Sequence, residues 1–194
     1  MEEQELISRS RAGDVEAFNL LVEQYQRMVY NLALRMLGNT ETAEDATQDA
    51  FLSAYRAIGK FRGGSFKAWI LRITANSCRD KMRVARRARV TSLDSLLEVS
   101  GELPLENNAE SPEDYVLRQE LDQFLNEGLI HLPEDQRLTV ILCDIQGLSY
   151  EEICQATGSS LGTVKSRLNR GRARLRDFLL QRRELLPSEF RQDK

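Results

Sequence analysis

Apolar residues recur at helical spacing through most of this 194-residue chain, and glycine, proline or a capping polar residue stands where each run stops. A short opening helix ends at Gly13, and Asp14 caps the next one. There Ala17, Phe18, Leu21, Tyr25, Val29, Leu32 and Met36 form a buried face that runs to the Gly38-Asn39 stop. A third helix, TAEDATQDAFLSAYRAI, divides into two sides. Ala43, Ala46, Ala50, Ala54 and Ala57 make a small-residue stripe for close packing, and Asp45, Gln48, Asp49, Leu52 and Arg56 lie opposite, with Tyr55 at the edge. Gly59, Gly63 and Gly64 then mark a loop, and Ser65 is positioned to cap the helix that follows. On that helix Phe66, Trp69, Ile70 and Ile73 share one side and Leu71, Cys78 and Met82 another, while Arg72, Asn76, Arg79 and Arg83 form a polar stripe.

Periodicity is lost between Val90 and Leu117, where Gly101, Pro104, Pro112 and an Asn pair interrupt the chain, and returns in YVLRQELDQFLNEGLIHL. Pro133 opens another helix that extends to Gly147. In LSYEEICQATG, Ser149 and Glu152 have capping-box spacing, Ile153 and Ala156 point inward, and Gly158 ends the helix. Ser159 and Ser160 turn the chain into a last helix whose Val164, Leu168, Gly171, Leu175, Phe178 and Leu179 face inward. Two helices joined by a tight glycine-containing turn predict a helix-turn-helix. The expected fold is all-α: two small helical domains, residues 1–90 and 118–184, joined by an acidic flexible linker, 91–117, with a tail at 185–194.

Charge changes this picture more than composition does. The formal net charge is only −3, yet RDKMRVARRAR carries six basic groups against one acid and residues 165–183 carry eight against one. Val90 to Leu117 holds seven acids and no Lys or Arg. The acidic average therefore conceals two basic surfaces and an acidic tether, which is an ordinary solvated connector or a strand that occupies a basic groove on a partner.

Each polar face has a plain alternative as solvated surface, and the details weigh against it. Leu52 and Tyr55 among charges resemble an interface anchor rather than a wet face. The Arg72/Asn76/Arg79/Arg83 stripe sits beside a glycine loop flanked by aromatics, and Arg and Asn are the side chains that stack on bases and bond to their edges. On the final helix Lys165, Ser166, Asn169, Arg170 and Arg176 face outward with Thr163 and Arg172 at the margins, as a recognition helix requires.

Taken in order, these stretches resemble the extracytoplasmic-function sigma factors of bacterial RNA polymerase, across about residues 5–180. AEDATQDAFLSAYRAI is similar to the family's core-polymerase helix, FRGGSFKAWILRITANSCRD to its −10 recognition and melting segment, and LPEDQRLTVILCDIQGLSYEEICQATGSSLGTVKSRLNRGRARLRDFL to its −35-binding domain. The resemblance implies a promoter-specificity subunit without catalysis of its own. Asp45, Gln48, Asp49, Leu52, Tyr55 and Arg56 would dock core polymerase. Arg62, Ser65, Lys67, Trp69, Arg72, Asn76, Arg79 and Arg83 would bind −10 DNA, with a flipped base held by the Lys60–Ser65 loop. Thr163, Lys165, Ser166, Asn169, Arg170 and Arg172 would bind −35 DNA, and the acidic linker would thread toward the RNA exit path. Core RNA polymerase and promoter DNA are the implied partners, together with an anti-sigma factor.

Two other classes fit the sequence less well. An operator-binding regulator would use the helix-turn-helix unaided, and the Leu52 face and long linker speak against it. An enzyme would need a nucleophile–base pair, a metal cluster or a phosphate loop, none of which the sequence offers. Cys78, Cys143, Cys154 and the single histidine, His131, match no zinc spacing or disulfide framework, so no metal or cofactor is expected and the thiols are read as inert. MEEQELISRSRAGD lacks the basic start and apolar core of a secretory leader and no run spans a bilayer, so a cytoplasmic protein without membrane insertion is expected.

Overall fold

The fold is taken from a computed structural model that describes residues 2–91 and 112–182; the greater part of the expected linker and all of the expected tail lie outside them. All regular structure among the described residues is helical: α1 (Glu3–Arg11), α2 (Val15–Leu37), α3 (Thr40–Ala57), α4 (Phe66–Thr91), α5 (Pro112–Ile130), α6 (Glu134–Val140), α7 (Tyr150–Thr157) and α8 (Leu161–Gln181). Local chemistry sets the boundaries. Asp14 accepts from the Ala17 amide, and Asn39 from the Thr42 amide at 3.0 Å. Ser149 and Glu152 close a complete capping box at the start of α7. Gly38 ends α2 at φ 74°, a conformation that favours glycine, and a Cβ there would lie 2.9 Å from the tip of the Ile130 side chain.

In two places the boundaries differ from the sequence pattern. Residues 112–117, read as linker, begin α5, with Pro112 first in the helix, where its missing N–H removes no intrahelical bond. The helix expected from Pro133 to Gly147 is α-helical only to Val140, and Ile141–Ile145 then widens into a π turn.

The first domain packs α1, α3 and α4 around α2, and α3 presents its alanine stripe to this core, with Ala43, Ala46, Ala50 and Ala54 fully buried. The second domain packs α8 against α5, α6 and α7. A single apolar core runs through both, because α5 and α6 cover the C-terminal end of α2, and α7 packs on α4. Leu32, Ala33, Leu34, Arg35 and Met36 are consequently all buried, although they point to different sides of α2.

Two arginines cross this junction. Arg35 of α2 donates to Asn126 Oδ1 at 3.0 Å and to Asp122 at 3.3 Å, both on α5. Arg137 of α6 donates to the Met36 carbonyl near the C-terminus of α2 at 2.6 Å, and to the Ile130 and Leu132 carbonyls of its own domain. A guanidinium at a helix C-terminus meets exposed carbonyls and the negative end of the dipole, which offsets part of its desolvation. Burial still lowers the Arg137 pKa from its ordinary value.

Candidate polymerase and promoter interfaces

The outward face of α3 carries Asp45, Gln48, Asp49, Leu52, Tyr55 and Arg56, all exposed. Leu52 is 54% exposed, a large apolar side chain held in water by a rigid helix. Beside it a groove of about 600 Å³ opens between α2 and α3, lined by Val15, Phe18, Val22, Phe51, Leu52 and Tyr55. Tyr55 is fixed edge-on to Phe18 at 5.1 Å. Lys81, from α4, donates to Asp49 at 3.0 Å and Asp45 at 3.4 Å, and those carboxylates raise its pKa. This lysine was counted only in a basic run, since sequence spacing does not show that α4 brings it beside α3.

The glycine loop forms a second site. Gly63 and Gly64 have φ of 96° and 92°, the left-handed region that glycine adopts without strain. The turn delivers Ser65 to cap α4, where it accepts from the Ala68 amide at 3.2 Å. A pocket of about 180 Å³ opens over the loop, lined by Lys60, Arg62, Ser65, Trp69 and Arg72, with Gln155 of α7 as a further wall. Phe61 and Phe66 are core residues, each packed at a tilt on Trp69 at 5.3 Å between centroids; Phe61 reaches the pocket from the core, and Trp69 is its half-buried aromatic wall.

Of the eight residues expected at this surface, Arg62, Ser65, Trp69 and Arg72 line the pocket. The other four lie beyond it. Lys67 donates to the Gln146 carbonyl at 2.7 Å, and Asn76 lies 3.5 Å from Arg79, whose guanidinium it faces as acceptor. Arg79 pairs with Glu134 at 3.0 Å and Asp135 at 3.4 Å, and Arg83 pairs with Asp80 at 3.1 Å. Glu134, Asp135, Gln146, Glu152 and Gln155 had been read only as parts of the second domain's own helices.

The third surface is α8. Ser160 caps it by accepting from the Thr163 amide at 3.3 Å. Lys165, Asn169, Arg170 and Arg172 are exposed, and Thr163 and Ser166 half-exposed. Arg170 folds back on Ser166, donating to its carbonyl at 3.3 Å and its hydroxyl at 3.1 Å. Arg172 is tied sideways to Asp144, which raises its pKa. Arg167, also part of the basic run, does not belong to this face: it bonds Ser159 at 2.8 Å and Asp135, fastening α8 to the start of α6. Val164, Leu168 and Gly171 are buried beneath, so the outward side chains stand on a packed base.

Family comparisons agree with this arrangement. Residues 21–88 match the family model for sigma-70 region 2, and residues 125–175 match that for sigma-70 region 4. The ECF RNA polymerase sigma factor SigE of Mycolicibacterium smegmatis is 42% identical over 82% of this chain, which spans 60% of that longer protein. The RNA polymerase sigma-H factor of Pseudomonas aeruginosa is 38% identical over 88% of this chain and 90% of its own length, as is the ECF RNA polymerase sigma-E factor of Escherichia coli. Among solved structures, the sigma factor RpoE in complex with the anti-sigma factor NepR from Bartonella quintana superposes with a TM-score of 0.68 at 27% identity, covering 84% of this chain and 96% of that one. CnrH in complex with the cytosolic domain of CnrY gives 0.66 at 25% identity, covering 91% and 96%. A helical domain with a glycine-loop pocket, followed by a capped helix-turn-helix and matching these two regions in order, is a two-domain transcription initiation subunit. The chain belongs to the extracytoplasmic-function sigma factors of RNA polymerase.

Proposed function

We propose that the three surfaces divide the work of promoter-specific initiation. The outward face of α3, with Asp45, Gln48, Asp49, Leu52, Tyr55 and Arg56, docks core polymerase, Leu52 serving as the apolar anchor. The glycine-loop pocket takes an unstacked base of the −10 non-template strand. Ser65 and Arg62 supply bonding groups there and Trp69 a stacking surface, which offsets the cost of opening the duplex. Lys67, Arg72, Asn76, Arg79 and Arg83 extend this surface along the strand. On α8, Thr163, Lys165 and Arg172 hold phosphates of the −35 element, and Ser166, Asn169 and Arg170 read base edges in the major groove.

The observation that carries this reading is the helix-turn-helix: a complete Ser149–Glu152 capping box, a Gly158 turn and a basic helix whose polar side is exposed over a buried Val164–Leu168 base. The protein works in the cytoplasm and has no catalysis of its own. Among the described residues no helix is long and apolar enough to cross a membrane. Two of the solved neighbours are complexes, one with an anti-sigma factor and one with a cytosolic domain, and they support control of this chain by an anti-sigma factor. The acidic linker, expected to thread toward the RNA exit path, lies mostly outside the described residues.

Run-off transcription tests the reading: the chain added to core polymerase on genomic DNA should yield defined start sites sharing −35 and −10 sequences. Failure to form a stable complex with core polymerase would refute it. Co-purification from cells with a tightly bound inhibitor is the expected result for control by an anti-sigma factor, and a freely active protein in unstressed cells would count against that control.

A further inference from the structure

Arg172 differs from the other cations on the outward side of α8 in what holds it. Lys165 and Arg170 pair with no carboxylate among the described residues, and Arg170 bonds to Ser166 of its own helix. Arg172 takes its partner from a different element. Its Nε donates to Asp144 Oδ2 at 3.0 Å and its Nη2 to Asp144 Oδ1 at 2.5 Å, a side-on pair that uses both carboxylate oxygens. Asp144 stands in the π turn Ile141–Ile145, where the Gln146 amide reaches back five residues to the Ile141 carbonyl at 2.9 Å. A π turn closes over five residues instead of four, which changes where the following side chains point. This one is pinned: Ile141 and Leu142 are fully buried, and the Leu148 amide bonds the Leu142 carbonyl at 3.0 Å. Cys143 of the same turn brings its Sγ to 3.8 Å from Arg172 Nη2.

The two side chains are 47% and 33% exposed, and a pair so open to water contributes little to stability. What it fixes is direction. A guanidinium has five N–H groups in a rigid plane. Asp144 and Cys143 occupy Nε and Nη2, and both N–H groups of Nη1 take no partner among the described residues. They are left for a phosphate oxygen, aimed from a plane that the turn holds. Phosphate contacts set the register of a protein on the duplex, and base contacts then read the sequence from that register. A freely rotating arginine at this position would still attract phosphates, in any register and on any sequence.

We propose that Asp144 is a positioning residue for −35 recognition: from the π turn it aims Arg172 at one phosphate, and so sets the register in which Ser166, Asn169 and Arg170 meet their bases. Its negative charge also opposes phosphates that approach in other registers. Asp144 therefore acts on the discrimination between promoter and other DNA more than on affinity. This rests on the reading of α8 as the −35 helix.

The test uses holoenzyme assembled from the full chain and core polymerase. One labelled promoter fragment carries the −35 and −10 sequences of a start site mapped by run-off transcription, and a second is identical except for a scrambled −35 element. The ratio of their dissociation constants measures discrimination. Asp144→Asn keeps the size of the side chain but replaces one acceptor oxygen with a donor, which cannot receive the second Arg172 N–H. It should lower discrimination about five-fold, and by less than about two-fold when Arg172→Ala is already present. Unchanged discrimination in Asp144→Asn overturns the proposal. An equal fall in the Arg172→Ala background does so too, because it would make the effect of Asp144 independent of the arginine.

Arg172→Lys covers the case in which the turn variant fails to fold. Lysine keeps the charge on an exposed helical position but lacks the planar fork that serves carboxylate and phosphate together. Discrimination should fall as far as in Arg172→Ala, and wild-type discrimination in Arg172→Lys would mean that the aim of the fork is immaterial. Failure of the −35 reading is distinguishable. If wild-type holoenzyme binds the two fragments alike, that reading fails and the role of Asp144 fails with it; if it discriminates and the coupling is absent, only the role of Asp144 fails.

Discussion

Gly171 lies where α8 crosses α6, and replacing it with alanine tests whether that crossing sets the recognition helix. A Cβ there would stand 2.7 Å from Val140 Cγ2 and 3.3 Å from the Gln136 carbonyl oxygen. Val140 is 2% exposed and β-branched, so it has little freedom to turn away, and the second neighbour is backbone. Overpacking of this kind costs about 1–3 kcal/mol, and removing a mid-helix glycine returns about 0.5–1 kcal/mol. The expected net loss is about 1–2 kcal/mol, a fall of roughly 0.5–1 M in urea midpoint for a small protein. Gly162, near the start of the same helix, has nothing within 4 Å of its built Cβ, so Gly162→Ala should be neutral or stabilising by up to about 1 kcal/mol. Urea unfolding followed by far-ultraviolet circular dichroism, with −35 binding measured alongside, gives the comparison. A Gly171→Ala midpoint at or above the wild type would refute the close-crossing argument.

Further expectations concern the surfaces and the titratable groups. Leu52→Asp should weaken core polymerase binding by about 2 kcal/mol, roughly 30-fold by titration, while leaving the melting temperature nearly unchanged because the side chain is in water; unchanged affinity would remove Leu52 as the anchor. Lys165→Ala should weaken −35 binding on all sequences and reduce the salt slope by about one, whereas Arg170→Ala should cost about 1–3 kcal/mol and relax specificity. Equal losses on every −35 variant would deny Arg170 a reading role. The Cys78 thiol, whose pKa burial pushes up to about 12, should resist a thiol reagent at pH 8 in the native protein and react in urea. The Glu152 carboxylate is held below its ordinary pKa of 4.5, first by the Ser149 amide and then by the Ser65 hydroxyl. Its stabilising effect is therefore complete above about pH 4.5 and is lost as pH falls through the lowered value. Thermal melts should show a larger loss between pH 5 and about pH 2 for the wild type than for Glu152→Gln, and equal losses would dismiss the linkage.

Much of the fold was legible because its signals are local. The Asp14, Asn39 and Ser149 caps, the Gly38 and Gly158 stops and the alanine stripe of α3 all depend on neighbours within a few residues. The start of α5 is ambiguous in sequence because Pro112, Glu113 and Asp114 have the composition of a connector as well as the residue types of a helix N-terminus. Of the candidate surfaces, the α3 face and the outward side of α8 could be laid out on a helical wheel. Lys67, Arg79 and Arg167 could not be placed that way, since periodicity says which way a side chain points and not what meets it. One signal was present and passed over. The LALRML run at the end of α2 is apolar on all sides but that of Arg35, which marks a helix covered nearly all round, and that cover is the second domain.

The pairing of Arg79 with Glu134 and Asp135 bears on how the unassembled chain meets bulk DNA. Any protein with a bare basic groove is bound indiscriminately by bulk chromosome, which offers on the order of a million or more competing sites. Carboxylates carried by the same chain quench part of that groove before it meets a phosphate, and the net charge of −3 adds a mild repulsion at a distance. Non-specific binding by the unassembled chain would then run mainly through α8, and its salt dependence would report the phosphates that this helix contacts.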